Sequence, residues 1–279
     1  MIIDAHHHIW RDDQGYAWLD APGLGAIRRT FPASELRAEL AANGVERTVL
    51  VEGGRGDADE AALLFSYLPE IPEIAGIVAW ADPADPELAA VLRKYRALPG
   101  GDRLVGVREQ IQGIADPGYL DRDDVRRGLR IIGDAGLAFD LVIRADQLPA
   151  AARVAAALPS VRFVLDHLGK PEIRAGKFRD WADGLAVLAE CPNVTAKLSG
   201  LVTEAAWDSR TAEDLRPYAD EALRLFGAER LMFGSDWPVC TLASPYEKWV
   251  SVANLILPPD ARETVFGRTA VRAYDLRLD

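Results

Sequence analysis

The sequence has few cysteines and no long hydrophobic run. Only Cys191 and Cys240 occur among 279 residues, which is too few for a disulfide framework, and they form no C-x-x-C pair. No stretch of about 18 apolar residues is present, and the first six residues place Asp4 and His6 where a signal peptide has a basic start and an apolar stretch. We therefore expect a cytoplasmic protein that is neither exported by that route nor inserted in a membrane.

Basic residues are also scarce. Lys and Arg number 32 against 43 Asp and Glu, which gives a formal net charge of −11. This is the wrong sign for a protein that neutralises many phosphates, so we expect no nucleic-acid partner. A few local cations can still attract an anionic group into a cleft. Because the sequence has no G-x-S-x-G, Walker or G-x-G-x-x-G motif, serine hydrolase, P-loop and dinucleotide functions have no motif support.

Short β-branched apolar segments alternate with longer Ala/Leu/Glu/Arg-rich segments along the whole chain. Eight segments are predicted strands: Ile2 to His6, Arg47 to Glu52, Ile74 to Trp80, Leu104 to Gln110, Ala138 to Arg144, Val161 to His167, Asn193 to Ser199 and Arg230 to Asp236. The predicted helices are Ala33–Asn43, Ala58–Leu68, Pro86–Ala97, Asp123–Ala135, Gln147–Leu158, Lys177–Glu190, Glu213–Phe226, Tyr246–Leu255 and Pro259–Tyr274.

The alternation predicts an α/β fold, a single-domain (β/α)₈ barrel over residues 1–279. Strands such as Thr48–Val51 are apolar on both faces, as in a parallel sheet covered by helices. A doubly wound open sheet is the main competitor, but it typically binds its ligand through a glycine-rich first turn, and here that turn is His6–Trp10. The long segment Trp10–Pro32 is expected to fold over the barrel mouth.

All four histidines fall near the C-terminal ends of predicted strands. His6 and His8 are two residues apart in an extended segment, so they point to the same side, whereas His7 points away and is expected to be structural. His167 ends the sixth strand and Asp236 ends the eighth. Barrel enzymes place their chemistry at this face, so His6, His8, His167 and Asp236 are predicted to share one pocket.

Such a group suits two mechanisms. The imidazoles and Asp236 can hold a divalent metal that activates water, or the imidazoles can polarise a carbonyl while Asp236 takes a proton from water. Glu109 is a further candidate metal ligand, and Glu52 is a weaker one; either glutamate could instead pair with Arg55 or Arg108. Four side chains are expected to contact the substrate: Trp10, Arg144, Lys170 and Trp237.

Four segments together resemble the amidohydrolase-2 family. They are IDAHHHIW at 3–10, VLDHLGKP at 164–171, KLSGL at 197–201 and MFGSDWPV at 232–239. Within that family the chain is most similar to the sugar lactonases and the 2-pyrone-4,6-dicarboxylate lactonases, in order and over essentially its whole length. The resemblance implies a distorted barrel that hydrolyses a small lactone, with His6, His8, His167 and Asp236 in the site and Asp236 as general base.

The resemblance leaves the cofactor and the substrate open. Some members work without a metal; where one is used, zinc is the cation we expect. Many members have histidine where this chain has Glu109 after Gly106, Val107 and Arg108, which leaves the particular lactone undetermined. Amide or imide hydrolysis, deamination, decarboxylation of a small aromatic or unsaturated acid, and a noncatalytic binding barrel are the alternatives.

Overall fold

Eight strands form one parallel sheet in the computed structural model, which describes residues 1–278. Each strand pairs with the next one in chain order. The strands are β1 (Ile2–His7), β2 (Val45–Val51), β3 (Ile74–Trp80), β4 (Leu104–Glu109), β5 (Ala138–Leu141), β6 (Arg162–Leu165), β7 (Val194–Leu198) and β8 (Leu231–Phe233). The (β/α)₈ barrel predicted from the sequence is confirmed.

The ring closes between β1 and the segment that follows β8. The Asp236 N–H donates to the His6 carbonyl oxygen at 2.7 Å, and the His8 N–H donates to the Trp237 carbonyl oxygen at 2.6 Å. These bonds lie beyond the last residue of β8, so the closure is irregular, as the resemblance implied. The same bonds fix Asp236 directly beside His6 in β1 and His8 just after it.

Helices surround the sheet. They are α1 (Ala33–Ala42), α2 (Asp59–Ser66), α3 (Leu88–Arg96), α4 (Asp123–Asp134), α5 (Leu148–Ala157), α6 (Arg179–Ala189), α7 (Leu201–Glu204), α8 (Ala212–Phe226), α9 (Tyr246–Ile256), α10 (Pro259–Glu263) and α11 (Thr269–Tyr274). A π-helical turn, Thr264–Arg268, joins α10 to α11, so the predicted last helix is helical throughout but not uniform. Within residues 1–278, none of the helices combines the length and apolarity that a bilayer crossing requires.

Several strands end earlier than the sequence predicted. β5 stops at Leu141, β6 at Leu165 and β8 at Phe233. His167 and Asp236 have φ angles of 54° and 59°, in the left-handed region that extended strands do not use. The predicted strand ends at these two residues are therefore wrong, because the chain has already turned there toward the barrel mouth.

The lower end of the barrel is filled by the C-terminal segment. Ala270, Tyr274 and Leu276 pack against the inward-facing apolar side chains of the strands, including Val49 and Val105. This group is separate from the larger core between the strands and the outer helices. With the lower end closed by apolar packing, polar side chains inside the barrel lie above this layer, toward the mouth.

The segment Trp10–Pro32 covers one side of the mouth, as expected. The Trp18 indole N–H donates to the Gly53 carbonyl oxygen at 2.7 Å, which holds the segment onto the turn after β2. The Trp10 indole N–H donates to the Ile27 carbonyl oxygen at 3.1 Å, inside the segment itself. Trp18 therefore faces the mouth, whereas Trp10 stabilises the fold of the covering segment.

Candidate active site

The four residues predicted to share a pocket do meet at the C-terminal end of the barrel. The Nε2 atoms of His8, His6 and His167 lie 3.4, 3.8 and 3.9 Å from Oδ1 of Asp236. The Nε2 atoms of His6 and His8 lie 3.2 Å apart. All four side chains are buried, so their polar atoms face one another rather than bulk water.

The opposite nitrogen of each imidazole is held by another group. Nδ1 of His8 lies 3.0 Å from the carbonyl oxygen of Val51, and a carbonyl can only accept, so this nitrogen carries the proton. Nδ1 of His6 lies 3.2 Å from Oδ1 of Asp166, a carboxylate that likewise accepts, and Nη1 of Arg108, which can only donate, lies 3.4 Å from Nε2 of the same ring. In the neutral rings, Nε2 of His6 and Nε2 of His8 are therefore unprotonated, and their lone pairs face the cluster.

The same arrangement keeps His6 and His167 neutral and Asp236 ionised. Burial lowers the pKa of His6 well below its ordinary value and lowers the pKa of His167 to about 4. Burial raises the pKa of Asp236, but its contacts with His167 and His8 and the nearby charge of Lys170 hold that pKa below the ordinary value. Neutral imidazoles and a carboxylate are the forms that bind divalent cations.

The donor set fits a divalent metal. One donor atom from each of His6, His167 and Asp236 lies within 4.8 Å of the other two, and Nε2 of His8 adjoins them. Two ligands of a tetrahedral zinc with bonds of about 2.0–2.1 Å are about 3.3 Å apart, close to the 3.2 Å between the Nε2 atoms of His6 and His8. A cation would also relieve the repulsion between these two lone pairs.

The backbone at the site adopts an uncommon conformation. His167, Leu168, Lys170 and Asp236 are four of the five non-glycine residues with positive φ in the described chain. Gly200 has a φ of +67°, and a Cβ atom placed on it would lie 2.6 Å from Nδ1 of His167. The left-handed turns aim His167, Lys170 and Asp236 into the mouth, and the absence of a side chain at Gly200 gives the His167 ring its space.

A buried charged network lies beneath His6. Lys197 forms ion pairs with Asp166 at 2.9 Å and with Asp140 at 2.6 Å. Nη1 of Arg108 contacts the other oxygen of Asp166 at 2.9 Å, and its Nε pairs with Glu52. Burial alone would raise the pKa of Asp166, but Lys197, His6 and Arg108 together lower it well below its usual range. Asp166 is thus an ionised acceptor for the His6 ring.

Sequence reasoning missed most of this network. Asp140 stands between Phe139 and Leu141, and Lys197 stands between Ala196 and Leu198, so each charged residue has apolar neighbours on both sides within its strand. A charged residue at such a position is uncommon unless it is paired, and that was the available signal. The partners lie 57 and 31 residues apart in sequence, so no local spacing identifies the pairs.

Glu109 does not join the cluster. Adjacent strand residues face opposite sides, so Arg108 points to the interior and Glu109 points away from it. The Glu109 carboxylate accepts the Gln110 N–H at 2.6 Å, and burial raises the pKa of Glu109 to about 7. Glu52 pairs with Arg108, the structural alternative considered for it. His7 also points outward, with Nε2 3.0 Å from the Thr48 hydroxyl oxygen.

A cavity of about 380 Å³ opens above the cluster. Its lining includes His8, Trp18, Gln110, His167, Lys170 and Asp236. An adjoining outer cavity of about 510 Å³ shares Lys170 and includes Arg144, so both predicted cations face the mouth region. Trp10 and Trp237 line neither cavity; both are buried and pack against Phe31. The aromatic wall comes from Trp18 instead.

Comparison with known proteins gives relatives over the whole chain. The sequence profile of the Amidohydro_2 family, described as amidohydrolase, matches residues 3–276. An L-fucono-1,5-lactonase of Burkholderia multivorans is 36% identical over 291 residues, covering 99% of this chain and 96% of the relative. An L-rhamnono-gamma-lactonase of Scheffersomyces stipitis is 26% identical over 141 residues, covering 43% of this chain and 42% of the relative.

Solved structures agree in fold. A Burkholderia multivorans amidohydrolase with bound Zn superposes with a TM-score of 0.92 at 34% identity, covering 99% of this chain and all of the other. A protein described as a 2-pyrone-4,6-dicarboxylic acid hydrolase from Pseudomonas putida has a TM-score of 0.78 at 23% identity, covering 100% and 98% of the two chains, and shares the fold. The family match over residues 3–276 and the full-length relatives show that this chain belongs to the amidohydrolase family.

Proposed function

We propose that this protein is a hydrolase that opens a small lactone, the lactone of a sugar acid, by attack of water on the ring carbonyl. The observation that carries the proposal is the convergence of His6, His8, His167 and Asp236 beneath a cavity of about 380 Å³. The L-fucono-1,5-lactonase at 36% identity over nearly the full length of both chains supports the substrate class.

The residues that would hold a divalent cation are His6, His8, His167 and Asp236. We propose zinc as this cation because a related amidohydrolase has been solved with bound Zn. When bound, such a cation polarises a carbonyl oxygen and promotes the ionisation of water. Carbonyl polarisation by imidazole N–H groups alone has less support. The N–H groups of His6 and His8 face Asp166 and Val51, away from the cavity.

Asp236 serves as the proton carrier in this proposal. Its lowered pKa keeps it ionised at neutral pH, so it can take a proton from the attacking water while the new carbon–oxygen bond forms. When the ring carbon–oxygen bond breaks, the protonated Asp236 returns that proton to the departing alkoxide. One water is consumed, the product is a hydroxy acid, and Asp236 ends the cycle ionised.

The walls of the cavity supply the binding groups. Lys170 and Gln110 offer N–H donors to the hydroxyl and carbonyl oxygens of a sugar lactone, and Trp18 offers an aromatic face to its ring. The outer cavity places Arg144 farther from the cluster, where it can meet a distal substituent. We place the reaction in the cytoplasm, in keeping with two buried free cysteines.

A substrate panel tests this proposal. The zinc-loaded protein is offered five- and six-membered sugar lactones, cyclic amides, amino-substituted heterocycles and small aromatic acids. New carboxylic acid, new amine, ammonia and carbon dioxide are measured in parallel. We expect acid release from sugar lactones that is lost in Asp236→Asn. A new amine from cyclic amides, ammonia from the heterocycles, or carbon dioxide from aromatic acids, without lactone opening, would replace the proposal with amide hydrolysis, deamination or decarboxylation respectively.

A further inference from the structure

We propose that Tyr274, Asp140 and Lys197 form a positioning chain that holds Asp166 against His6, so that the C-terminal helix fixes the orientation of an active-site imidazole. The inference rests on the proposed function only for the role of His6 in the site. It concerns residues that do not line the cavity of about 380 Å³ and to which the comparisons with known proteins give no role.

The chain of contacts is continuous and buried. The Tyr274 hydroxyl donates to Oδ2 of Asp140 at 2.6 Å, and Nζ of Lys197 donates to the same oxygen at 2.6 Å. Lys197 also pairs with Oδ1 of Asp166 at 2.9 Å, and that oxygen faces Nδ1 of His6 at 3.2 Å. None of these five side chains is more than 1% exposed, so each contact acts without competition from bulk water.

Lys197 sets the direction of the His6 proton. Two of its three ammonium protons are directed at Asp140 and Asp166, whose oxygens lie 2.6 and 2.9 Å from Nζ, closer than Nδ1 of His6 at 3.1 Å. On the other side of the ring, Nη1 of Arg108, which can only donate, lies 3.4 Å from Nε2. The proton of the neutral ring therefore lies on Nδ1, where Asp166 accepts it, and Nε2 presents its lone pair to the cluster. Removal of the lysine would leave two buried carboxylates without their shared cation.

Tyr274 connects this chain to the lower end of the barrel. It lies at the end of α11, and its ring packs among the apolar side chains that close the lower end. The ring also lies beneath Lys197, with Nζ 5.3 Å from its centroid. Among residues 1–278, Oδ1 of Asp140 has no hydrogen-bond partner. The position of this carboxylate therefore depends on the two hydrogen bonds that Oδ2 accepts from Tyr274 and Lys197.

Two variants test the chain, and a third is their control. Tyr274→Phe removes the hydrogen bond from the tyrosine hydroxyl to Asp140, and Lys197→Met removes the cation. Tyr119→Phe, the control, removes another tyrosine-to-aspartate hydrogen bond, 3.3 Å long and directed at Asp82, which is not part of the positioning chain. The ¹⁵N signals of the His6 ring report its tautomer and are assigned by their loss in His6→Gln. Competition with a chromogenic chelator gives the dissociation constant for Zn²⁺.

We expect both test variants to move the His6 ring signals toward a mixture of tautomers. The Zn²⁺ dissociation constant should rise about tenfold in Tyr274→Phe and about 10–100-fold in Lys197→Met, the range found when outer partners of metal ligands are removed. Tyr119→Phe should leave both readouts at their original values. A positioning role predicts these changes even where the variant is only slightly less stable.

A purely structural role would lower the Tm of Tyr274→Phe and leave the His6 signals and the Zn²⁺ dissociation constant unchanged; that result would overturn the proposal. If Lys197→Met does not fold, Tyr274→Phe decides alone. If the original protein opens no lactone but the His6 signals still move in Tyr274→Phe, the proposed function fails and the positioning chain stands, because the ring signals require neither substrate nor turnover.

Discussion

The Nε2 atoms of His6 and His8 face each other at 3.2 Å, and both nitrogens carry lone pairs because the ring protons are directed at Asp166 and at Val51. Two lone pairs at this distance repel, and the guanidinium beside them, that of Arg108 with Nη1 3.4 Å from Nε2 of His6, is already paired with Glu52 and Asp166. The ionised Asp236, 3.4 Å from His8, adds a negative charge to the same space. A bound cation would therefore stabilise the cluster, whereas a further hydrogen-bond acceptor would destabilise it.

Removal of divalent metal should abolish turnover and return of zinc should restore it. The physical reason is the donor set of His6, His8, His167 and Asp236, in which a carboxylate and imidazole nitrogens converge at distances that suit a divalent cation. We expect elemental analysis to find about one ion per chain and Tm to rise when zinc is added, because binding to the folded state stabilises it. Metal-free protein that hydrolyses lactones at an undiminished rate would contradict this prediction.

Asp236→Asn should lower kcat by about 10²–10⁴-fold, the usual contribution of a general base, with a much smaller effect on KM. The amide has nearly the same shape as the carboxylate but cannot accept the proton from water. Asp134→Asn, at an exposed position in α4, is the control and should match the original protein. Near-normal kcat in metal-loaded Asp236→Asn would remove this residue from the proton transfer.

Trp18→Ala should raise KM by about 5–30-fold and change kcat less, since one to two kcal/mol of apolar contact is lost on one wall of the cavity. Trp18→Phe keeps an aromatic face but loses the 2.7 Å bond to the Gly53 carbonyl oxygen, so it should recover most of the loss. Steady-state kinetics on a sugar lactone separates the two effects. Equal KM values in all three proteins would show that Trp18 does not contact substrate.

The sequence was sufficient for the barrel and for the group of His6, His8, His167 and Asp236. Eight alternations of strand and helix determine the ring, and a parallel ring brings the C-terminal ends of all its strands to one face. The prediction did not need the strand ends to be right. His167 and Asp236 lie in left-handed turns beyond β6 and β8 and still point into the mouth.

Other features of the site follow only from the three-dimensional structure. Both faces of β4 are buried, so its apolar pattern could not show that Arg108 rather than Glu109 faces the interior. The network of Asp140, Asp166 and Lys197 joins three different strands or strand ends, and its pairing depends on the register of the closed sheet. The covering segment is irregular, and its conformation decides which of its tryptophans reaches the cavity.

Glu60 gives a prediction about stability and pH. Its side chain is fully buried beside the cavity, where Oε1 accepts the Gly53 N–H at 2.6 Å and Oε2 accepts the Arg55 N–H at 3.3 Å. Burial, followed by the nearby charge of Glu52, raises the pKa of Glu60 to about 8 from an ordinary value of 4.5. The folded protein therefore holds a proton on Glu60 that the unfolded chain releases at lower pH.

The stabilising contribution of this proton is complete below pH 4.5 and is lost as the pH rises through about 8. Glu60→Gln keeps a neutral side chain of the same shape at every pH. The free energy of unfolding of the variant minus that of the original protein should therefore increase from about pH 5 to pH 8 and then stay constant. Urea unfolding across this range measures the difference, and Glu190→Gln, at an exposed position after α6, should follow the original curve. Parallel curves for the original protein and Glu60→Gln would mean that Glu60 is already ionised in the folded state, and that its contacts with the Gly53 and Arg55 N–H groups outweigh its burial.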